Sequence, residues 1–392
     1  MNVSIILLCL FVLAGIVAVV TILLLIIAGV AALFHHPFAL SFVGNTAKLL
    51  GVAFGVMLIA VISSQFMTYT PHIDGDNAIS ELREITVNDS KQWLTLRGKN
   101  KDAPVILFLS GGPGGSQMGN ARVALSELED NFVMVQWDQP GSGKSRWAVP
   151  RQQITLDRYL QDGHAVTQYL KQKFGKKKIY VIGESWGSAL GVLLMQRHPE
   201  DYAAFIGSGQ MVDFAQTEVD DYKLALKIAK ERGDTAKVKQ LERRGSPPYY
   251  GDSVIFDMLA YLQYLDNEMA RRGNINPSKS NIYASVLAPE YGLIDKYNWA
   301  AGLFRTLDQV FPQLYNINFR KSATKLEVPM YFLLGRHDLN APTYLAEEYY
   351  QLLNAPKKEL VWFEHSGHAP WNTEADRYVK EVKRIVDDNR NQ

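Results

Sequence analysis

The stretch that most constrains this chain is Gly183-Glu184-Ser185-Trp186-Gly187, read together with its flanks. Before it runs Ile179-Tyr180-Val181-Ile182, apolar without a break, and from about Ser188 a helical pattern follows. A strand that gives way to a helix within so few residues needs a tight, strained turn. Glycines on either side of the serine let strand and helix pass close together. The serine is then held at an exposed corner at a helix N-terminus, where developing negative charge is favoured. Gly-x-Ser-x-Gly alone recurs by chance; the strand-turn-helix setting gives it weight. The competing reading is a serine that merely caps a helix in a glycine-rich turn.

The same grammar recurs from about Ser80 onward. Continuous apolar runs at 104–109, 132–136, 178–182, 203–206, 328–334 and 359–363 suit strands buried on both faces of a parallel sheet. Between them lie helical patterns at 156–174, 189–197, 344–353 and 374–387. This alternation predicts an α/β chain built on a mostly parallel, doubly wound sheet. It breaks between about Val212 and Lys325, where long charged-amphipathic stretches such as 222–243 and 254–272 flank a Gly245-Ser246-Pro247-Pro248 loop. The expected organisation is a membrane anchor over 1–70, a catalytic core over 71–211 and 326–392, and an inserted helical cap over 212–325.

Ile5 to Phe34 carries no charged residue and no proline, and a second apolar run spans about 49–66. Each is long enough for a bilayer core, which takes roughly 20 apolar residues. Two transmembrane helices are expected, with a turn near His35-His36-Pro37. A cleaved signal peptide competes, but no Lys or Arg precedes Lys48 and the first run is too long for one. One span plus a re-entrant segment is the third reading, because the second run contains Gly51, Gly55, Ser63 and Ser64. Lys48 beside the turn favours a cytoplasmic turn, and with Asp74 and Asp76 past the second span the catalytic part is expected outside the cytoplasm.

Charge excludes one class of partner. Lys and Arg number 41 against 40 Asp and Glu, so there is no basic surplus to displace counterions from nucleic acid. The single cysteine, Cys9, rules out an intrachain disulfide or a cysteine-based metal site. The eight histidines are scattered, and neither a metal nor a cofactor is expected.

A nucleophilic serine needs a base, and the base an orienting acid. In the α/β-hydrolase fold these follow in the order Ser, Asp or Glu, His. Asp338 follows the apolar run 330–334 in Gly335-Arg336-His337-Asp338, and His368 follows 360–363 in Ser366-Gly367-His368. Both fall just past strand ends, where sites form in open α/β sheets. His337 adjoins the acid on the wrong strand, and His365 is given a structural role, so the expected triad is Ser185, Asp338 and His368. The glycine-rich turn Ser110 to Gly115 can present backbone N–H groups to a carbonyl. Gly112, with the N–H of Trp186, is the expected oxyanion hole. A phosphate-binding loop is the alternative for this turn, but it lacks the Lys-Ser/Thr of a P-loop.

As a set these motifs resemble the proline iminopeptidase (prolyl aminopeptidase) family of α/β-hydrolases. Ser110 to Gly115 is similar to that family's His-Gly-Gly-Pro-Gly-Gly, and Asp138 to Ser145 to its Asp-Gln-Arg-Gly-x-Gly-x-Ser. Gly183 to Ser188 is similar to its Gly-Gly-Ser-Trp-Gly-Ser, and Gly335 to Asp338 with Gly367-His368 to its acid and base motifs. The resemblance covers about 80–210 and 325–388 and implies hydrolysis of small peptides or esters through an acyl-enzyme, without cofactor. Ser110 stands in place of the family's His, Pro140 of its Arg, and Glu184 where glycine is usual. The family's cap supplies acids for the substrate's amino end. Here Asp213, Glu218, Asp220 and Asp221 are available, with Glu218 and Asp213 the first choices and a solvated helix start the plain alternative.

The expected function is a membrane-anchored aminopeptidase acting on short peptides. The alternative is an anchored carboxylesterase or lipase acting on lipophilic esters. Its expected partners are a small peptide or ester and, at the N-terminal segment, membrane lipid. A serine nucleophile argues against dehalogenases and epoxide hydrolases of the same fold, which use aspartate.

Overall fold

In the computed structural model, residues 3–33, 39–272 and 282–390 are described. The chain divides into two compact units: residues 1–70 with Val286–Tyr297, and 71–285 with 298–392.

In the first unit, α1 (Val3–Leu33) and α2 (Ala39–Phe66) lie side by side. Small side chains meet at their seam: Ala14, Ala18, Ala28, Ala53 and Ala60 are buried, while Leu13, Ile27, Leu58 and Ile59 point outward. Small residues at the seam and large apolar ones outside suit helices packed in lipid. By length and composition Val3–Ala31 and Phe42–Phe66 are each able to cross a membrane. The expected turn at His35-His36-Pro37 lies outside the described residues. The second helix begins at Ala39 rather than near Leu49, so Lys48 sits within it, exposed. Thr46, which the expected turn region contained, satisfies its hydroxyl within the helix on Phe42 O at 2.7 Å. Residues 286–297 add to this unit: Leu293 N donates to Ser64 Oγ at 2.9 Å and Thr70 Oγ1 to Glu290 Oε1 at 2.9 Å.

The second unit holds one sheet of eight strands: β1 (Ile79–Val87), β2 (Ser90–Gly98), β3 (Val105–Leu109), β4 (Val133–Asp138), β5 (Ile179–Glu184), β6 (Tyr202–Ser208), β7 (Met330–Gly335) and β8 (Lys358–Phe363). Their order is β1-β2-β4-β3-β5-β6-β7-β8. From β4 to β8 neighbours are parallel; β2 pairs antiparallel with β4 and with β1. The hairpin β1–β2 is not among the expected strands. It turns on Asn88-Asp89, with Asn88 at φ 52°, and its edge strand mixes Glu81, Arg83 and Glu84 with apolar residues. Such charged edges discourage pairing with other chains, and they also hide the strand from a search for apolar runs.

Helices cover both faces: α3 (Met118–Ala124), α4 (Leu156–Phe174), α5 (Trp186–Arg197), then later α12 (Thr343–Leu352), α13 (Pro370–Thr373) and α14 (Ala375–Arg390). The bounds of α4 are set by its ends. Thr155 Oγ1 accepts from Arg158 N at 3.1 Å, and Gly175 closes the helix at φ 62°. Between β6 and β7 the described chain is helical: α6 (Phe214–Glu231), α7 (Thr235–Arg244), α8 (Val254–Arg272), α9 (Ile282–Val286), α10 (Leu293–Leu314) and α11 (Phe319–Ser322). The two ends of this insertion meet, with Phe319 N donating to Val212 O at 2.9 Å and Asp213 bridging Asn318.

Candidate active site

β5 delivers Ser185 at its C-terminal end, and the backbone there is strained: φ is 54° and ψ −122°, a region an L-residue seldom occupies. Ser185 N donates to Ser208 O on the next strand at 2.9 Å, which helps fix the turn. Gly187 is required by proximity. A Cβ there would lie 2.0 Å from Leu109 O, so no larger residue lets α5 pass so close to β3. Trp186 opens α5, where backbone N–H groups have no intrahelical acceptor. Its indole is buried and donates to Gln139 Oε1 at 3.1 Å.

Asp338, past β7, is buried and accepts from Asn340 N at 2.9 Å and Ala341 N at 3.0 Å. His368, past β8, places Nδ1 2.9 Å from Asp338 Oδ2. The two loops touch at Gly335, where a Cβ would meet Gly367 O at 1.9 Å. Burial by itself lowers the imidazolium of His368. The Asp338 carboxylate, reinforced by Glu184 and Asp266, overrides that and brings His368 up to about 9. His337 and His365 do not line the cavity. Each engages its backbone N–H, with Ser366 O at 3.0 Å and Glu374 Oε2 at 3.0 Å respectively.

Ser185 and His368 open onto one cavity of 410 Å³. Gly111, Gly112, Gly115 and Gln117 form one wall, and Trp299, Ala300, Leu303 and Phe304 of α10 form an apolar one. The glycine loop is braced from several sides. Ser116 Oγ donates to Asp138 Oδ1 at 2.5 Å, Gln139 Nε2 to Ser110 O at 3.4 Å, and Trp299 Nε1 to Ser116 O at 2.9 Å. Asp138 and Gln139 thus hold the loop rather than the substrate.

The cap acids are placed differently from expectation. Asp213 caps α6 through Gln216 N at 3.0 Å, and its other oxygen takes Arg320 Nη2 at 2.8 Å and Asn318 Nδ2 at 2.5 Å. Glu218 is buried, accepts from Tyr261 Oη and is pushed well up by burial. Neither lines the cavity, nor do Asp220 and Asp221. The acid that does is Glu184, which sequence reasoning marked only as a departure from glycine.

Away from the cavity His164, His198 and Asp201 bring one ligand atom each within 4.8 Å of one another. Their geometry does not fit a metal. The imidazoles stack 3.7 Å apart with 17° between planes, so no nearby point lies in both rings, and Asp201 is already held by Lys171 and by Gln168 Nε2 at 2.7 Å.

A profile of the serine aminopeptidase S33 family matches residues 105–278. A probable aminopeptidase, YbaC of Bacillus subtilis, is 30% identical over 312 residues, covering 78% of this chain and 96% of its own length. Two solved structures share the fold. The proline iminopeptidase of Mycobacterium smegmatis has a TM-score of 0.58 at 17% identity, covering 79% of this chain and 98% of its own. A membrane phospholipase A described as a bacterial virulence factor has a TM-score of 0.56 at 17% identity, covering 90% and 99%. An elbow serine, a family profile and a relative aligned over nearly its whole length agree: this protein is a serine hydrolase and belongs to the S33 serine aminopeptidase family of α/β-hydrolases.

Proposed function

We propose that the chain is a membrane-anchored aminopeptidase that releases N-terminal residues from short peptides through an acyl-enzyme. The observation that carries this reading is the shared cavity of Ser185 and His368, with His368 Nδ1 2.9 Å from Asp338. His368 Nε2 takes the proton of Ser185 Oγ as it attacks the substrate carbonyl, and Asp338 steadies the imidazolium that forms. The N–H groups of Gly112 and Trp186 hold the oxyanion. The amine leaves with the proton from His368, and water then cleaves the ester by the same route in reverse. The cavity's 410 Å³ is the size for a short peptide end or a small acyl group. The helices α1 and α2 serve as the anchor; Lys48, although it lies within α2, is the basic residue nearest the connection and supports a cytoplasmic connection with the catalytic unit outside the cytoplasm.

The second reading is an anchored esterase or lipase. It is favoured by the apolar wall that Trp299, Leu303 and Phe304 lend the cavity. One experiment separates the two: the full-length protein in detergent, offered Pro- and Ala-naphthylamides, their N-acetylated forms and a short-chain acyl ester. Cleavage of the free-amine amides at least ten times faster than of the acetylated ones is expected. Equal rates on both would sink the aminopeptidase, and turnover of the ester alone would establish the second reading.

A further inference from the structure

An aminopeptidase must recognise the ammonium group of its substrate, and none of the four acids expected to do so, Asp213, Glu218, Asp220 and Asp221, lines the cavity. Asp213 is tied to Arg320 and Asn318, and Glu218 to Tyr261. Among the described residues lining the cavity, Glu184 is the only carboxylate. It precedes Ser185 in the chain, is buried, and accepts from Gly111 N through Oε2 at 2.7 Å. Its other oxygen, Oε1, takes no hydrogen bond from the described residues.

We propose that Glu184 is the specificity-determining acid of this site: Oε2 braces the oxyanion loop at Gly111 while Oε1 receives the substrate's α-ammonium. The inference rests on the aminopeptidase reading and adds to it the residue that distinguishes a free amine from a blocked one. The chemistry fits the place. The α-nitrogen of an N-terminal residue is two bonds from the carbonyl carbon that Ser185 attacks, so its acid has to lie beside the nucleophile. A charge-assisted hydrogen bond in a site screened from water is among the stronger polar contacts. Burial pushes the Glu184 carboxyl up, and a protonated His368 pulls it down. An arriving ammonium adds a further pull toward the ionised form.

The loop brace and the ammonium contact make different demands. A neutral amide oxygen can still accept from Gly111 N, but only a carboxylate offers charge to the ammonium. Glu184→Gln and Glu184→Ala would be assayed as full-length protein in detergent against alanine 4-nitroanilide and 4-nitrophenyl propionate. These carry the same three-carbon acyl chain with and without the amino group. In Glu184→Gln, kcat/KM for the anilide is expected to fall at least about 10-fold further than for the ester, mainly through KM. In Glu184→Ala the ester is expected to fall below its value in Glu184→Gln, because the brace is lost too. Ester turnover serves as the control for folding; if Glu184→Gln has none, labelling of Ser185 by a fluorophosphonate and the competition of free alanine amide against that label replace it. Equal losses on both substrates, or unchanged competition by alanine amide, overturn the assignment of Glu184. Wild-type protein that turns over the ester but not the anilide overturns the aminopeptidase reading itself, an outcome visible before any variant is made.

Discussion

Asp338, at the C-terminal edge of the sheet, and Asp221, in α6 of the helical insertion, are both buried aspartates in one unit of the molecule. Asp338 accepts two backbone N–H groups and faces His368. Neither oxygen of Asp221 takes a hydrogen bond among the described residues, and burial, with Glu218 and Asp338 nearby, pushes its carboxyl well up. Burial alone therefore does not make a carboxylate functional. At the sheet edge, strand ends and loop N–H groups supply donors that compensate a charge. In the insertion none of the described residues donates to Asp221, and burial favours its protonated form.

The largest test of the sheet-edge side is Ser185→Ala. Turnover of whichever substrate the wild type accepts should fall roughly 10⁴- to 10⁶-fold, while the thermal unfolding midpoint stays put because the scaffold is preformed. Activity near that of wild type would reject Ser185 as nucleophile.

Next comes the partner itself. His368 has to be neutral to accept the serine proton, and Asp338 favours its protonated form. With His368 brought up to about 9, kcat/KM of the wild type should climb with pH until close to 9 and then level. In Asp338→Asn the counter-charge is gone and burial dominates, so the rising limb should move to lower pH while the plateau drops by about 10⁴-fold. A limb that stays in place would detach Asp338 from His368's titration.

The smallest expected effect concerns the insertion. A carboxyl whose folded value is raised keeps its proton where the unfolded chain, at 3.8, has lost it. Stability therefore falls as pH rises from that value toward the raised one. Asp221→Asn should remove this slope. The variant should be more stable than wild type by about 1 kcal/mol or more near pH 8, and the difference should close near pH 4. Thermal unfolding of the full chain in detergent at the two pH values measures it, and a variant less stable at pH 8 would erase the contrast with Asp338.

The legibility of the sequence follows the same divide. Strands β3 to β7 are buried almost throughout, so their apolar runs stand out, and β8, though only Phe363 of it is buried, keeps an apolar run too; the expected order of Ser185, Asp338 and His368 was read from the ends of β5, β7 and β8. The hairpin β1–β2 was harder, since an edge strand with Glu81, Arg83 and Glu84 has no unbroken apolar run; its one local sign is Asn88-Asp89. In the insertion, helical periodicity marks Glu218, Asp220 and Asp221 as one helix start but cannot say that Glu218 meets Tyr261, that Asp220 meets Tyr344 and that none of the three lines the cavity.

Local patterns determined what is local or repetitive here: the strand-turn-helix around Ser185, the alternating core, and two apolar segments long enough for a bilayer. Each follows from periodicity, glycine placement or length, which are properties of neighbouring residues. Which acid faces the cavity was decided only by tertiary structure. Arg320 and Asn318 reach Asp213, Tyr261 reaches Glu218, and Gly111 brings its N–H to Glu184, from positions distant in the chain. Hydrogen bonds between residues so far apart leave no trace in the spacing of either one, because their pairing exists only once the sheet has brought its loops together.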